Sequence, residues 1–261
     1  MRVILTDGDI ICYRCAASCE PTKKEPDKKE EGFVALGRAN DILNRIGDRC
    51  QVEEHRIYLS GVDNFRYKLY PDYKAHRRVV PKPPHLEWVR NYLVKKWGAI
   101  VVHGMEADDA IGIAAKRHFI VASIDKDLKQ ISGEHYNFVK DEFEVVSEEQ
   151  ASYNLYAQML TGDSSDGVKG IQGIGPVNAK RILEGLSREN MHLTVMEYYD
   201  DPDRFLLNLR LLSVLRTQDE YQRILGEIDE EKRMYRQEEE SQESVSSRED
   251  TLPKVQGNMD T

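Results

Sequence analysis

The chain of 261 residues contains four cysteines, two tryptophans and no run of eighteen apolar residues. The missing apolar run excludes a membrane-spanning helix. Cys12, Cys15 and Cys19 fall in one predicted helix and Cys50 stands apart, and no second Cys or His pair completes a zinc spacing. Buried free thiols are therefore expected. The opening MRVILTDGDIICYRC is interrupted by Asp7 and Asp9 where a secretory signal needs unbroken apolar residues. A cytoplasmic protein is expected. No internal repeat is present, and the length suits one α/β domain with an appended subdomain.

Basic charge is also short, since the formal net charge is −9. At first this argues against a polyanionic partner. The deficit is uneven, however: residues 227–261 hold eleven acidic and five basic side chains, which leaves −3 for the rest of the chain. Eight of the remaining acids belong to the short acidic stations described below. Divalent cations held there would leave the other surfaces mildly basic, and distribution decides partner sign.

Short apolar runs alternate with amphipathic stretches. Strands are predicted at 3–5, 56–60, 100–102 and 119–122, and helices at 10–17, 33–46, 86–97 and 106–116. Such alternation implies a mainly parallel central sheet flanked by helices. Residues 20–31 (EPTKKEPDKKEE) read as a solvated loop. From 148 the pattern turns helical, with helices at 148–160, at 176–186 and beyond Pro202. These features divide the chain into an α/β domain over 1–147, a helical subdomain over 148–226 and an acidic, largely disordered tail over 227–261.

Carboxylates recur where strands end or helices begin: Asp7, then Glu106 with Asp108 and Asp109, Asp125 with Asp127, and Asp163 with Asp166. Taken singly, acids in a first helical turn are what the helix dipole favours, and Asp125 suits an N-cap. Taken together, they fall at the carboxyl ends of parallel strands, where open α/β sheets bind ligands. Carboxylates gathered there need cations, and hard oxygen donors suit Mg²⁺ or Mn²⁺. Two such ions about 4 Å apart make a site for phosphodiester hydrolysis.

Two further segments suit a nucleic-acid partner. In NFRYKLYPDYKAHRRVVPKP (64–83), Arg66, Lys68, Lys74, Arg77, Arg78 and Lys82 interleave with Phe65, Tyr67, Tyr70 and Tyr73. Cations meet phosphates there, and an unpaired base stacks on tyrosine. In GIQGIGP (170–176), glycines let the backbone approach a phosphate, and Pro176 opens a helix whose first amides point at the anion. Lys169, Lys180 and Arg181 stand beside it, as in a helix–hairpin–helix that grips one strand without reading bases.

In this order, the motifs resemble the 5′-nuclease superfamily of flap endonucleases, polymerase 5′-nuclease domains and phage 5′→3′ exonucleases. The likeness runs from Asp7-Gly8 through Phe65-Arg66, Tyr70-Pro71, Tyr73 to Arg77, Glu106 to Asp109 and Ser123 to Gln130, and ends at Gly162 to Gly175. It implies a PIN-like 5′-nuclease fold with a C-terminal helix–hairpin–helix subdomain. The implied activity is Mg²⁺-dependent hydrolysis, by two metals, at a 5′ end or 5′ flap in replication, recombination or primer removal. Mn²⁺ would substitute.

By that resemblance, Asp7, Glu106 and Asp108 hold one metal with Asp109 close behind, and Asp125, Asp127 and Asp163 lean toward the second with Asp166 supporting. Lys74 and Arg77 act on the scissile phosphate, and Tyr73 stacks on the terminal base. Arg66, Arg78, Lys169, Gly173, Gly175 and Lys180 contact DNA, with K⁺ at the Gly-rich hairpin in some relatives. A monomer is implied, in the host cytoplasm if the chain is phage-encoded.

Two departures stand out. The family's aspartate shortly before Phe-Arg has no clear counterpart, because strand two runs into Ser60-Gly61-Val62-Asp63 and Asp63 looks displaced. The stretch between Arg77 and Leu86 is also short, as in compact phage exonucleases. Alternatives are removal of RNA primers, including from an RNA–DNA hybrid, by the same site, and a non-catalytic binder of DNA structure. A PIN-type toxin is disfavoured by the Gly-rich hairpin.

Overall fold

The computed structural model describes residues 2–27, 29–51, 53–116, 118–230 and 233–234. The chain divides into two units, 1–218 and 219–261. In the second unit, residues 219–230 and 233–234 are helical. The tail expected at 227–261 thus begins in helix, and its remainder lies outside the described residues.

The first unit is built on a six-stranded sheet of β1 (Val3–Asp7), β2 (Glu54–Ser60), β3 (Ile100–Val102), β4 (Phe119–Ala122), β5 (Gly133–Asn137) and β6 (Glu142–Val146), in the order β3-β2-β1-β4-β5-β6. The first five strands run parallel and β6 is antiparallel to β5. Chain order proceeds outward from β1 in one direction and then, from β4, in the other. The carboxyl end of β1 is therefore a topological switch point. Asp7 stands there, opposite Tyr58 of β2.

One face of the sheet is covered by α1 (Gly8–Ala17), α2 (Gly32–Cys50) and α4 (Leu86–Trp97), while α3 (Arg66–Leu69) is a single turn after β2. Ile4, Ile11, Leu43, Ile57, Leu59, Leu93 and Ile120 are fully buried between these layers. Burying a side chain of this size contributes about 1.5–3 kcal/mol. The four cysteines are free and buried and act as small apolar packing groups, but only Cys12 and Cys15 lie on α1: Cys19 follows its C-cap Ser18, because the helix stops at Ala17, and Cys50 ends α2. Helix α5 (Ala107–Ala114) lies against β1, β2 and β3.

The remaining elements of this unit are α6 (Glu148–Thr161), a two-stranded ribbon of β7 (Gly162–Asp163) and β8 (Val168–Lys169), α7 (Pro176–Leu183), α8 (Arg188–Glu197) and α9 (Pro202–Leu212). They share a second apolar core in which Tyr156, Met159, Leu160, Ala179, Leu183, Val195 and Phe205 are buried. Three of these helix starts are capped by a side chain: Ser147 accepts from Gln150 N, Ser187 from Asn190 N, and Asp201 from Asp203 N just before Pro202, while α7 opens on Gly175-Pro176 without one. No described helix is long and apolar enough to cross a membrane.

The hairpin β5–β6, the ribbon and α8 escape hydropathy patterning. Strand β6 leaves Phe143 and Val145 exposed at the sheet edge, and α8 buries only Met191 and Val195, so neither shows a clean apolar face. Helix α5 ends at Ala114, two residues short of the sequence expectation. Its packing is close: a Cβ added at Gly112 would lie 2.2 Å from the carbonyl oxygen of Leu215. Gly112→Ala is expected to destabilise the fold by about 1–3 kcal/mol, because backbone rather than a flexible side chain must yield. The shift in urea midpoint measures it.

Candidate active site

The acidic stations reach the switch point by different routes. Asp7 ends β1 and also caps α1, its Oδ1 accepting from Ile10 N at 3.2 Å. Its Oδ2 accepts from the Ser123 hydroxyl at 3.2 Å, and the same hydroxyl oxygen accepts from Asp125 N at 3.0 Å. The ends of β1 and β4 are thereby tied together. Glu106 and Asp108 arrive at the start of α5, after β3. Asp7, Glu106, Asp108 and Asp125 line one open cleft of about 700 Å³, which Lys74, Arg77, Arg78 and Lys82 also line.

Crowding shows in the acid strengths. Burial, then the charges of Asp9 and Asp125, push Asp7 up to about 7. Asp108 is held well above the usual carboxylate range by burial and then by Asp7, Asp125 and Glu106. Glu106 goes the other way: burial opposes its charge, but Lys74 and Arg66 outweigh that and lower it. Lys74 Nζ lies 2.5 Å from Glu106 Oε1 and 3.7 Å from Asp166 Oδ1.

A second group lies beside the first. Asp127 is pushed up to about 7 by burial and by Asp125. Asp163 is also buried, yet Lys126 at 2.6 Å, Ser165 and Gln158 hold its carboxyl well below the usual range. Gln158 on α6 donates to both Asp127 and Asp163, at 3.0 and 2.8 Å. Asp166 accepts from Arg77 at 3.1 Å.

The geometry corrects three sequence expectations, at Arg66, Asp109 and Tyr73, and leaves Asp63 outside the cleft, as its displaced position in the sequence suggests. Arg66 does not face nucleic acid: it is 3% exposed and forms a two-pronged ion pair with Asp109 at 2.6 and 2.9 Å. Asp109 is fully buried and also accepts from Glu106 N and Leu215 N, so its oxygens are committed to structure rather than to a metal. Tyr73 cannot stack on a base. Its ring is 1% exposed in the helical core, and its hydroxyl lies 3.0 Å from Glu106 and 2.9 Å from Asp166. Asp63 is exposed, in left-handed backbone with φ of 66°, and does not line the cleft.

Lys74 also has left-handed backbone, φ 52°, before a short 3-10 turn over Ala75–Arg78. Its amide donates to the Asp166 carbonyl at 2.9 Å, which holds that conformation and aims the side chain at the acids. Beyond the cleft, Lys169, Gly173, Gly175 and Lys180 are exposed along the ribbon and the start of α7. Gly173 has a φ of 82°, a turn that a side chain would strain.

Oxygen-only donors, with Asp7, Asp108 and Asp127 made weaker acids by burial and crowding, fit a hard divalent cation, which would replace the protons that burial otherwise retains. Among the described residues no three such side chains close on a common point at ligand distance. Lys74 and Lys126 instead neutralise Glu106 and Asp163. Sequence reasoning missed the supporting groups Asp9, Ser123, Lys126, Gln158 and Arg90. Ser123 and Lys126 lie within the Ser123–Gln130 motif without a role assigned there, and Gln158 stands as a polar residue just before the apolar Met159 and Leu160, five positions before Asp163.

Arg66→Ala would leave Asp109 buried and unpaired and should cost about 3–5 kcal/mol in denaturant unfolding. With divalent cations chelated, wild type ionises Asp127 against burial and Asp125, so that group's stability contribution falls as pH rises from about 4 to about 7. Asp127→Asn lacks the penalty. Thermal melts should show it gaining on wild type between about pH 4 and about pH 7 and levelling off above that.

Residues 2–157 match the family described as 5′-3′ exonuclease, N-terminal resolvase-like domain. DNA polymerase I of Thermus filiformis is 29% identical over 211 residues, 73% of this chain, and the chain spans about a quarter of that relative's length. A 5′-3′ exonuclease of Buchnera aphidicola is 24% identical, over 71% of this chain and 70% of its own length. Among solved structures, T5 5′-exonuclease with bound zinc superposes with a TM-score of 0.65 at 13% identity, covering 88% of this chain and 99% of its own. The bacteriophage T5 flap endonuclease in a pseudo-enzyme–product complex with DNA and metal ions gives 0.62 at 14%, covering 88% of this chain and 98% of its own. These likenesses show a shared fold. With 2–157 matched, the chain belongs to the 5′-3′ exonuclease family.

Proposed function

We propose that this protein is a divalent-metal-dependent 5′ nuclease that hydrolyses phosphodiesters at a 5′ end or 5′ flap of DNA, with Mg²⁺ as the working ion. The observation that carries the reading is the meeting of Asp7, Glu106, Asp108 and Asp125 in one cleft with Lys74 and Arg77. Asp7, Glu106, Asp108 and Asp125 would hold one cation, and Asp125, Asp127 and Asp163 a second, with Asp166 behind them. Bound there, such ions supply Lewis acidity and an ionised water for in-line attack at phosphorus.

The chain's own residues bind and orient the strand. Burial opposes the charge of Lys74, but Glu106 and Asp166 outweigh it and raise its pKa, so it stays a cation and cannot serve as a base. It is placed to offset charge on the non-bridging phosphate oxygens as the P–O bond to the leaving 3′ oxygen breaks. Arg77, half-exposed beside Asp166, meets the same phosphate. Arg78 and Lys82 continue the cationic wall outward. Lys169, Gly173, Gly175 and Lys180 would hold the duplex backbone, with K⁺ at the hairpin. In this division of labour 1–147 carries most of the chemistry, while 148–226 adds Asp163 and Asp166 to it and supplies the grip, in a monomer.

With a 5′-labelled flap and a recessed duplex, Asp108→Asn is expected to abolish Mg²⁺-dependent cleavage while leaving DNA binding equal or tighter, since one negative charge near phosphate is removed. Near-normal turnover contradicts the reading. Lys74→Ala should lower kcat by roughly 100- to 1000-fold with little change in KM. An RNA-primed duplex in the same assay reports whether the cut strand must be DNA.

A further inference from the structure

The end of β2 carries a polar arrangement that the nuclease reading does not use. Ser60 is the last residue of β2, and its backbone amide donates to Asp9 Oδ2 at 2.8 Å. Its carbonyl accepts from Arg90 at 2.6 Å. Asp9 and Arg90 are themselves joined as an ion pair. Their side chains are 32% and 21% exposed, and both residues line, with Ser60, the cleft that Asp7 lines. One carboxylate and one guanidinium thus close both backbone groups of the same residue, as a neighbouring strand would.

The Ser60 side chain completes the path. Its hydroxyl oxygen accepts from Ala107 N at 2.9 Å. Ala107 is the first residue of α5, between Glu106 and Asp108. The path therefore runs from α4 through Arg90 to Asp9 on α1 and to the end of β2, and from there to the backbone that carries two of the cleft's acids. Asp9 lies two residues beyond Asp7 on the turn that Asp7 caps. Space here is tight: a Cβ at Gly8 would meet the Tyr58 carbonyl at 2.7 Å, and one at Gly61 the Val102 carbonyl at 2.6 Å. The strand ends cannot drift independently.

We infer that Asp9, Arg90 and Ser60 form a positioning unit that sets the separation of Asp7 from Glu106 and Asp108, and thereby the affinity of the cleft for divalent cations. The inference rests on the metal-dependent reading of that cleft. None of the three needs to touch the ion. Asp9 already gives its two oxygens to Arg90 and to the Ser60 amide, so it acts through them. Partners that orient ligands without binding metal typically change affinity by about 10- to 100-fold when removed.

The test is Mn²⁺ binding without DNA, followed by electron paramagnetic resonance of the free ion, alongside thermal melting in chelator. Full-length wild type, Arg90→Ala, Ser60→Ala, the double variant, Arg90→Lys and Asp7→Asn are compared. Arg90→Ala and Ser60→Ala should each weaken Mn²⁺ binding roughly tenfold, and the double variant little more than either alone, because they break one path. Arg90→Lys keeps the charge but loses the two-armed geometry, and should recover less than half of the loss on a logarithmic scale.

Unchanged Mn²⁺ affinity in both single variants, with lowered melting temperatures, overturns the inference and leaves a structural clamp. Full recovery by Arg90→Lys also overturns it in favour of simple charge. If Asp7→Asn binds Mn²⁺ as wild type does, the reading of the cleft as a metal site fails instead.

Discussion

Like charges gathered at the carboxyl edge of a parallel sheet repel one another, and the fold has to oppose that repulsion before it can do anything else. Asp7 and Asp108 respond by retaining protons, while Glu106 and Asp163 respond by taking lysines. The arrangement persists because several of the acids are fastened from behind. Asp7 caps a helix, Asp125 turns back on Asp127 N, and Asp163 accepts from Ser165 and Gln158. Self-repulsion is offset by local hydrogen bonding, so the electrostatic strain remains available to a cation.

Arg66 and Asp109 show how the same sequence vocabulary serves two ends. Both sit inside motifs rich in functional residues, and both are buried away from the cleft. Their ion pair, with Leu215 N and the carbonyls of Leu211 and Ser213 on its flanks, anchors α5 and α3 to the end of α9 and the stretch after it. A carboxylate beside two metal-site candidates thus works as masonry. The distinction depends on which way a helix turn faces, and four consecutive letters do not reveal that.

The α/β alternation, the bounds of α4, β3 and β4, and the location of the acids at strand ends could all be read from hydropathy and spacing. They follow from local periodicity and from the rule that parallel strands expose their carboxyl ends to ligands. What could not be read depends on contacts across long separations. Tyr73 looked like an exposed ring because its neighbours are basic, yet it packs with Met159, Leu160 and Val168, some ninety positions away. The β5–β6 hairpin was hidden because its outer strand presents glutamates and exposed apolar residues together. Asp9 and Arg90 form a pair across 81 positions and had no motif to announce them.

The placement of Tyr73 has a further consequence. Its ring is shared with the helical core while its hydroxyl stands between Glu106 and Asp166. Any sliding of α6 to α9 must pull on that phenol, and the phenol in turn tugs on two acids from different parts of the chain. The packing of the helical core and the spacing of these two acids are thus mechanically joined through one buried ring.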